Sequence, residues 1–587
     1  MGHATIRKGY LMMHGLSLSG CSTTLFLLAL VLLGWGSSLE VHAETIYVDG
    51  QIAEASTAAY DPASRKAGSG SARAFKTLAG ACSVAEAGAT VLIRGGTYAE
   101  ALAPKQSGAA GKPITFKAYE KEAAIISGES LAPAVELSGK AYITIEGLQV
   151  VKVRRWLHAV KSNHLILRDN LFRQALDAGG SAKTGLFFQE AHHNRIVGNT
   201  IDDTTQDNLA LIKSNHNLVE GNIFLKAKHV LWTVKGGCYN VIRCNYLHNA
   251  IQKIGEVYDC QKVGFDHEFT ELNCTKRNLI EYNVFAFTPS SGDHSPYAGI
   301  QYAGQDGIVR HNIFYDTIGP ALDLTMYPDE ARHNTGNRVA HNTFHKSRFA
   351  GLCLSGKRDD PKYVFENNAI KNNVFTENRF QRNDKRWAWY QELDGKPVQV
   401  FIGALGGFVF ERNLVFGGAE DQTYLIVTGK RDGKNNPAPQ ALASWQANLP
   451  ELFRENLEAD PKLKAPAAHD YRPQPDSPCV DGGACLTAAK GAGEGTELSV
   501  ADARWFSDGM GVEGLAGDTI QLAGEPATYR VTKVDIAKNV LTLEKPAKWK
   551  DGQGVSYAFA GKAPDLGAYE SGLPEPPATP AAPAADR

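Results

Sequence analysis

Four segments between Asn163 and Asn245 decide how this chain is read: NHLILRDNLF (163–172), HHNRIVGNTI (192–201), NHNLVEGNIF (215–224) and CYNVIRCNYL (238–247). Superposed, they align an asparagine at Asn170, Asn199, Asn222 and Asn245, and it returns at Asn283, Asn312, Asn342, Asn373 and Asn413. Three residues before each stands an apolar residue, as at Leu167, Ile196, Val219 and Ile242. Two residues after each stands another, as at Phe172, Ile201, Phe224 and Leu247. A second asparagine column lies five residues earlier, at Asn194, Asn217, Asn240, Asn278, Asn337 and Asn368.

The shortest interval is 23 residues, from Asn199 to Asn222 to Asn245, and intervals of 38 and 40 read as the same unit with an inserted loop. A fixed period of this size marks a solenoid. The unit is built of short β-branched or aromatic runs alternating with period two and broken by Asn and Gly, with no helical period. Each unit is therefore one turn of strands that stacks on the next and buries a shared apolar column. Asn suits the bends because it tolerates the left-handed region, and in register its amides can bond from coil to coil. The expected fold is all-β: a right-handed parallel β-helix.

Working outward, the 587 residues carry 61 basic and 63 acidic side chains with no polybasic block, so a nucleic-acid partner has no support. Residues 1–43 read as a signal peptide: Arg7 and Lys8, an apolar run from Leu25 to Leu33, and Val41-His42-Ala43 before Glu44. The run is too short for a stable membrane span. Secretion or periplasmic export is expected, with lipid anchoring at Cys21 as the lesser alternative. Eight cysteines remain after cleavage, and Cys238–Cys244, Cys260–Cys274 and Cys479–Cys485 are close enough in sequence to pair.

The pieces FKTL…GATVLIRGGTY, GAAGKPITFKAY, IISG and YITIEGLQV resemble the N-terminal end of secreted β-helix proteins of the pectate-lyase superfold. A helical cap over the first coil, at Phe75 to Ala87, would cover an exposed sheet edge. The segments 476–483 and 563–570 look like the two halves of the closing motif of many such proteins. The expected division is a β-helix with its cap over 44–483, a small all-β insertion over 484–562, a closing segment over 563–572 and a Pro- and Ala-rich disordered tail over 573–587.

Fold alone does not give function. Nine residues before the ladder asparagine stand Lys161, Glu190 and Lys213; Lys235, ten before Asn245, joins them if that coil carries a one-residue bulge. Here the chain resembles the polysaccharide lyase family containing alginate lyases and chondroitinase B. That family uses a Lys base nine before the ladder Asn and an Arg ten before the next. The resemblance implies Lys213 as base and Lys235, in place of Arg, as the cation facing a substrate carboxylate, with Lys161 contacting substrate.

The family also holds calcium with acidic residues just upstream of its Lys. Its Glu-x-Glu is missing here, but Glu190, Asp202, Asp203 and Asp207 are hard oxygen ligands of the right type. The implied reaction is β-elimination on a uronate-containing, acidic polysaccharide by a monomeric enzyme. The plainer reading makes the lysines solvated strand-end residues.

Two loop clusters stay open. Asp266, His267 and Glu268 could supply the acid and base of a glycoside hydrolase, or be ordinary polar loop residues. Trp387, Trp389 and Tyr390 could stack on sugar rings, or pack their loop onto the solenoid wall. A uronate epimerase and a non-catalytic carbohydrate-binding β-helix protein complete the alternatives.

Overall fold

The computed structural model describes residues 44–176, 184–258, 275–287, 298–326, 332–356, 363–381, 391–418, 422–429, 438–575 and 579–581. The signal-peptide expectation, Cys21 and the Cys260–Cys274 pairing lie outside them. No helix among the described residues is long and apolar enough to cross a membrane.

Each coil contributes one strand to each of three sheets. Arg195–Val197, Thr200–Thr204 and Leu209–Ile212 make one such coil, and the next repeats it with Leu218–Glu220, Ile223–Phe224 and Val230–Lys235. Sheet 1 holds the first strand of each coil, sheet 2 the second and sheet 3 the third. Sheets 2 and 3 have 13 and 12 strands, and sheet 1, which also takes in the N-terminal strands, has 17. Successive coils pair in parallel without slipping, as Ile196 does with Val219 and Ile201 with Phe224. The result is a right-handed parallel β-helix, the hand that parallel crossovers adopt.

The apolar columns point inward. Ile201, Phe224 and Leu247 are fully buried, and Phe285, Phe314, Phe344 and Phe375 stack with centroids 4.5, 4.8 and 4.7 Å apart. At the bend between sheets 1 and 2, Asn199 Nδ2 donates to Asn222 Oδ1 and Asn222 Nδ2 to Asn245 Oδ1, both at 3.0 Å. The ladder runs on to Asn456, which accepts from Asn413 at 3.2 Å. Each amide also bonds backbone, as Asn222 Nδ2 does with Ile196 O.

One expectation needs correction. The left-handed residue at each bend is the one before the asparagine: Gly198, Gly221, Cys244, Tyr282 and His311 have φ between 52° and 68°. The asparagine keeps an ordinary φ because its amide must lie inside the stack, where it satisfies buried backbone groups. The same left-handed position before the second asparagine column carries Tyr142, His164, His193, His216 and Tyr239. Their rings stack along the surface at 4.5 to 5.2 Å.

The cap helix is shorter than expected, Leu78–Val84. Phe75 belongs instead to the strand Ala72–Phe75, which pairs with Thr45–Val48. Thr77 caps the helix through Gly80 N, and Glu100 accepts from Leu78 N and Ala79 N, so three otherwise orphaned donors are met.

Between Thr487 and Tyr557 runs a six-stranded antiparallel sheet with its own apolar cluster, including Leu498, Ile520, Val531 and Leu541. It lies along the outer face of sheet 1. Met510 and Val512 pack on Leu218, Val241, Leu279 and Ile308. Arg310 bonds Glu281 on its own sheet at 2.7 Å and Asp518 of the insertion at 2.6 Å. Beyond it, the segments on either side of the insertion join: Leu566 N donates to Cys479 O, Gly483 N to Pro564 O, and Asp481 N to Asp565 Oδ1.

Neither Cys238–Cys244 nor Cys479–Cys485 is a disulfide; Cys244, Cys479 and Cys485 are thiols. Cys238 and Cys244 sit at opposite ends of the strand Val241–Arg243. Burial raises the thiol pKa of Cys244 to about 11 and of Cys479 to about 12.

Candidate active site on sheet 3

Sheet 1 is covered on its outside; sheet 3 gathers the reactive side chains. Its inward positions are apolar, as at Leu209, Leu211, Trp232 and Val234. The alternate, outward positions stack as a column: Ala210, Thr233, Glu256, Gln301, Asp323 and Cys353. The neighbouring column runs Gln189, Ile212, Lys235, Tyr258. The register brings Lys235, Lys253, Glu256, Tyr258 and Gln301 together on three consecutive strands.

Glu256 is the centre of this group and is only 1% exposed. Lys235 Nζ lies 2.7 Å from its Oε1, and Lys253 Nζ is ion-paired to its Oε2. Thr233 Oγ1 donates to Oε1 at 3.2 Å. Burial by itself would raise the Glu256 carboxyl. The ammonium groups of Lys253 and Lys235, with His229 beyond them, outweigh burial and hold it far below the usual carboxylate range.

Tyr258 donates its hydroxyl proton to Gln301 Oε1 at 2.5 Å, and Lys253 Nζ donates to the Tyr258 oxygen at 3.3 Å and to Gln301 at 3.2 Å. One coil further, the buried Asp323 accepts from Ser355 Oγ at 2.8 Å. At the sheet edge His229 Nδ1 stands 2.6 Å from Asp207 Oδ1. Two cations beside a polarised phenol, with one fixed carboxylate, can bind an anionic group and move a proton next to it.

The expected residues fall as follows. Lys161, Glu190 and Lys213 occupy one left-handed turn column just past sheet 3, with φ of 53°, 49° and 49°. The expected bulge at Lys235 is absent. Lys235 pairs with Ile212 in straight register, and the turn position of that coil is taken by Gly236, with φ of 65°. Glycine enters that conformation without strain, so the strand needs no extra residue. Lys213 and Lys235 are still on adjacent coils, joined by Lys213 N donating to Lys235 O at 2.8 Å. Lys213 is 7% exposed; Lys235 keeps 27% of its side chain open.

The acidic residues expected around calcium stand at three points of the coil. Asp202 and Asp203 are in a strand of sheet 2, engaged by Arg173 at 2.9 Å and Lys226 at 3.0 Å. Asp207 lies in the turn before sheet 3, and Glu190 in the turn after it. Among the described residues, no group of three His, Cys, Asp or Glu side chains is placed to hold a metal ion. Asp266, His267 and Glu268 lie outside the described residues, as do Trp387, Trp389 and Tyr390.

Sequence reasoning missed Lys253, Glu256, Tyr258 and Gln301. The signal was there: in KIGEVY (253–258) a charged residue interrupts an apolar strand between Gly255 and Val257.

The fold defines the chain as a right-handed parallel β-helix protein. A family model, periplasmic copper-binding protein (NosD), matches residues 118–295. The uncharacterized protein YwoF of Bacillus subtilis (strain 168) is 25% identical over 451 residues, covering 69% of this chain and 87% of its own. Among solved structures, the PL6 family alginate lyase AlyGC aligns at 15% identity with a TM-score of 0.40, over 62% of this chain and 55% of that one. The pectate lyase Pel9A aligns at 11% identity and a TM-score of 0.40, over 90% of this chain and 96% of its own. The chain thus spans about half the length of the alginate lyase structures it matches first.

Proposed function

We propose that this protein is an exported polysaccharide lyase that cleaves a uronate-containing, acidic polysaccharide by β-elimination on the outer face of sheet 3. The observation that carries this reading is the pair Lys235 and Lys253 flanking Glu256 beside Tyr258. Elimination needs a cation against the substrate carboxylate, so that the α-proton becomes acidic, and a base to take that proton. Lys235, the more open lysine, faces the carboxylate. Tyr258, as a phenolate whose charge Lys253 stabilises from 3.3 Å, takes the α-proton; the C–O bond to the leaving sugar breaks, and the re-formed phenol returns that proton to the departing oxygen. Lys213, one turn position from Lys235, is the alternative base.

A glycoside hydrolase is the second reading, favoured by one observation. Glu256 and Asp323 share an outward column with Gln301 between them. Two strand spacings put their backbones about 9.6 Å apart, just beyond the roughly 6.5–9.5 Å that separates the carboxyl groups of an inverting pair, so their side chains would have to lean together. Residues 1–43 fit an exported enzyme. Calcium stays a proposal on donor chemistry alone: Asp202, Asp203, Asp207 and Glu190 are oxygen donors, but they stand at three points of the coil, and neutralising the substrate carboxylate falls to Lys235. The test is a screen of alginate, polygalacturonate and glycosaminoglycans, followed by ultraviolet absorbance of an unsaturated uronate, with and without a calcium chelator. Lyase action gives that absorbance. Reducing ends without it mean hydrolysis.

A further inference from the structure

Against the outer face of sheet 1, a cavity of about 900 Å³ opens where three parts of the chain meet. One wall is the outer face of sheet 1, with Arg243 and Tyr282. The second is the insertion, with Leu515 and Arg530. The third is the segment that follows the last coils, with Lys464 and Tyr569. This volume is within the range of pockets that enclose small ligands.

The charges of the cavity are unequal in what they are free to do. Its carboxylates are engaged. Glu281 and Asp518 hold Arg310. Glu570 accepts from Ala560 N at 3.1 Å and Asp565 N at 2.8 Å. Glu575 holds Arg472 at 2.6 Å.

Two cations are not. Arg530 and Lys464 are exposed. Arg530 bonds the carbonyl of Gly517, and neither it nor Lys464 has an ion pair among the described residues. Arg243, by contrast, is engaged: its Nε lies 3.2 Å from Glu281 and 3.6 Å from Glu220. The half-buried ring of Tyr569 and the side chain of Leu515 give an apolar surface beside these cations.

From this we infer that the cavity is a second, non-catalytic binding site for an anionic oligosaccharide. Carboxylates are recognised by Arg530 and Lys464, and a sugar face rests on Tyr569. The substrate class rests on the proposed function, but the site does not depend on the chemistry of sheet 3. Occupied, it would tether the enzyme to its polymer and raise the local concentration of cleavable chain.

The test is calorimetric titration of the full-length Lys235→Ala protein, which prevents turnover, with hexasaccharides of galacturonate and of guluronate, and with neutral cellohexaose. One of the acidic hexamers is expected to bind saturably. Binding should weaken at least about tenfold in Arg530→Gln/Lys464→Gln. In the protein with Lys235 restored, Arg530→Gln/Lys464→Gln should turn over a trisaccharide at the unaltered rate and long polymer more slowly. The inference is overturned if neither acid hexamer binds, if cellohexaose binds as tightly, or if the double variant binds like the parent. Binding without any lyase product would leave this site standing and remove the proposed reaction.

Discussion

The outer faces of sheet 1 and sheet 3 belong to the same coils, yet they have been put to different uses. On sheet 1 the outward cations reach across a seam: Arg310, paired with Glu281 beside it on the sheet, also holds Asp518 of the insertion, and Arg338 holds Asp502. The insertion then covers them. On sheet 3 the charges are concentrated on neighbouring strands of the same sheet, two lysines on one carboxylate, with a phenol between them and Gln301. A sheet that must dock another layer pairs its charges with that layer. A sheet that must handle a ligand pairs them with each other and leaves Lys235 partly open.

That contrast can be broken most decisively through the core both sheets share. Phe224→Ala removes a ring from the continuous stack and should cost about 3–5 kcal/mol in chemical denaturation. An unchanged midpoint would mean that the columns do not carry the fold. On sheet 1, Arg310→Ala strands Glu281 and Asp518 without their cation and should cost a similar 3–5 kcal/mol. On sheet 3, Lys235→Ala leaves Lys253 facing Glu256, so the cost should be smaller, about 1.5–3 kcal/mol. If Lys235→Ala destabilises as much as Arg310→Ala, the two faces do not differ in the way argued.

Acid should act through the buried imidazoles. Burial lowers His311 and His345 to about 3, and burial with neighbouring charge lowers His341 well below its ordinary value. The folded state keeps these rings neutral, while the unfolded chain takes up protons below about pH 6.5. Stability is therefore expected to fall as pH drops from 6.5 towards 4. His345→Gln should make that decline shallower in melts run across this range; an identical slope would remove His345 from the account.

How much of this could be read in the sequence follows from what each feature requires. The ladder asparagines and the Phe column were legible because every coil must supply the same side chain at the same place. The meaning of the left-handed bend was misassigned by one residue. Gly198, Cys244 and His311 share a backbone conformation but no side-chain chemistry, so they form no visible column. Lys253, Glu256 and Tyr258 share one strand and left one mark, a charge inside an apolar run, but because it occurs once it builds no column. Their partners Lys235, Gln301 and Asp323 come from other coils separated by insertions of unequal length, and only the strand register brings them into line. Lys235 was found through spacing, although the bulge invoked to align it with Lys213 is not there. The calcium ligands were read as one acidic stretch, but a bend between Asp203 and Asp207 sends them to different parts of the coil.

The central claim is that sheet 3 is a lyase site built on Lys235 and Tyr258. It is tested most directly by following ultraviolet absorbance at saturating substrate for the parent and for Lys235→Ala, Lys235→Arg, Tyr258→Phe and Lys213→Ala, each shown to be folded. Parent activity should fall at least about 100-fold in Tyr258→Phe and in Lys235→Ala. It should survive in part in Lys235→Arg, which keeps the charge, and be little changed in Lys213→Ala. Loss in Lys213→Ala with retention in Tyr258→Phe would hand the base role to Lys213. Full activity in both Lys235→Ala and Tyr258→Phe would contradict the account.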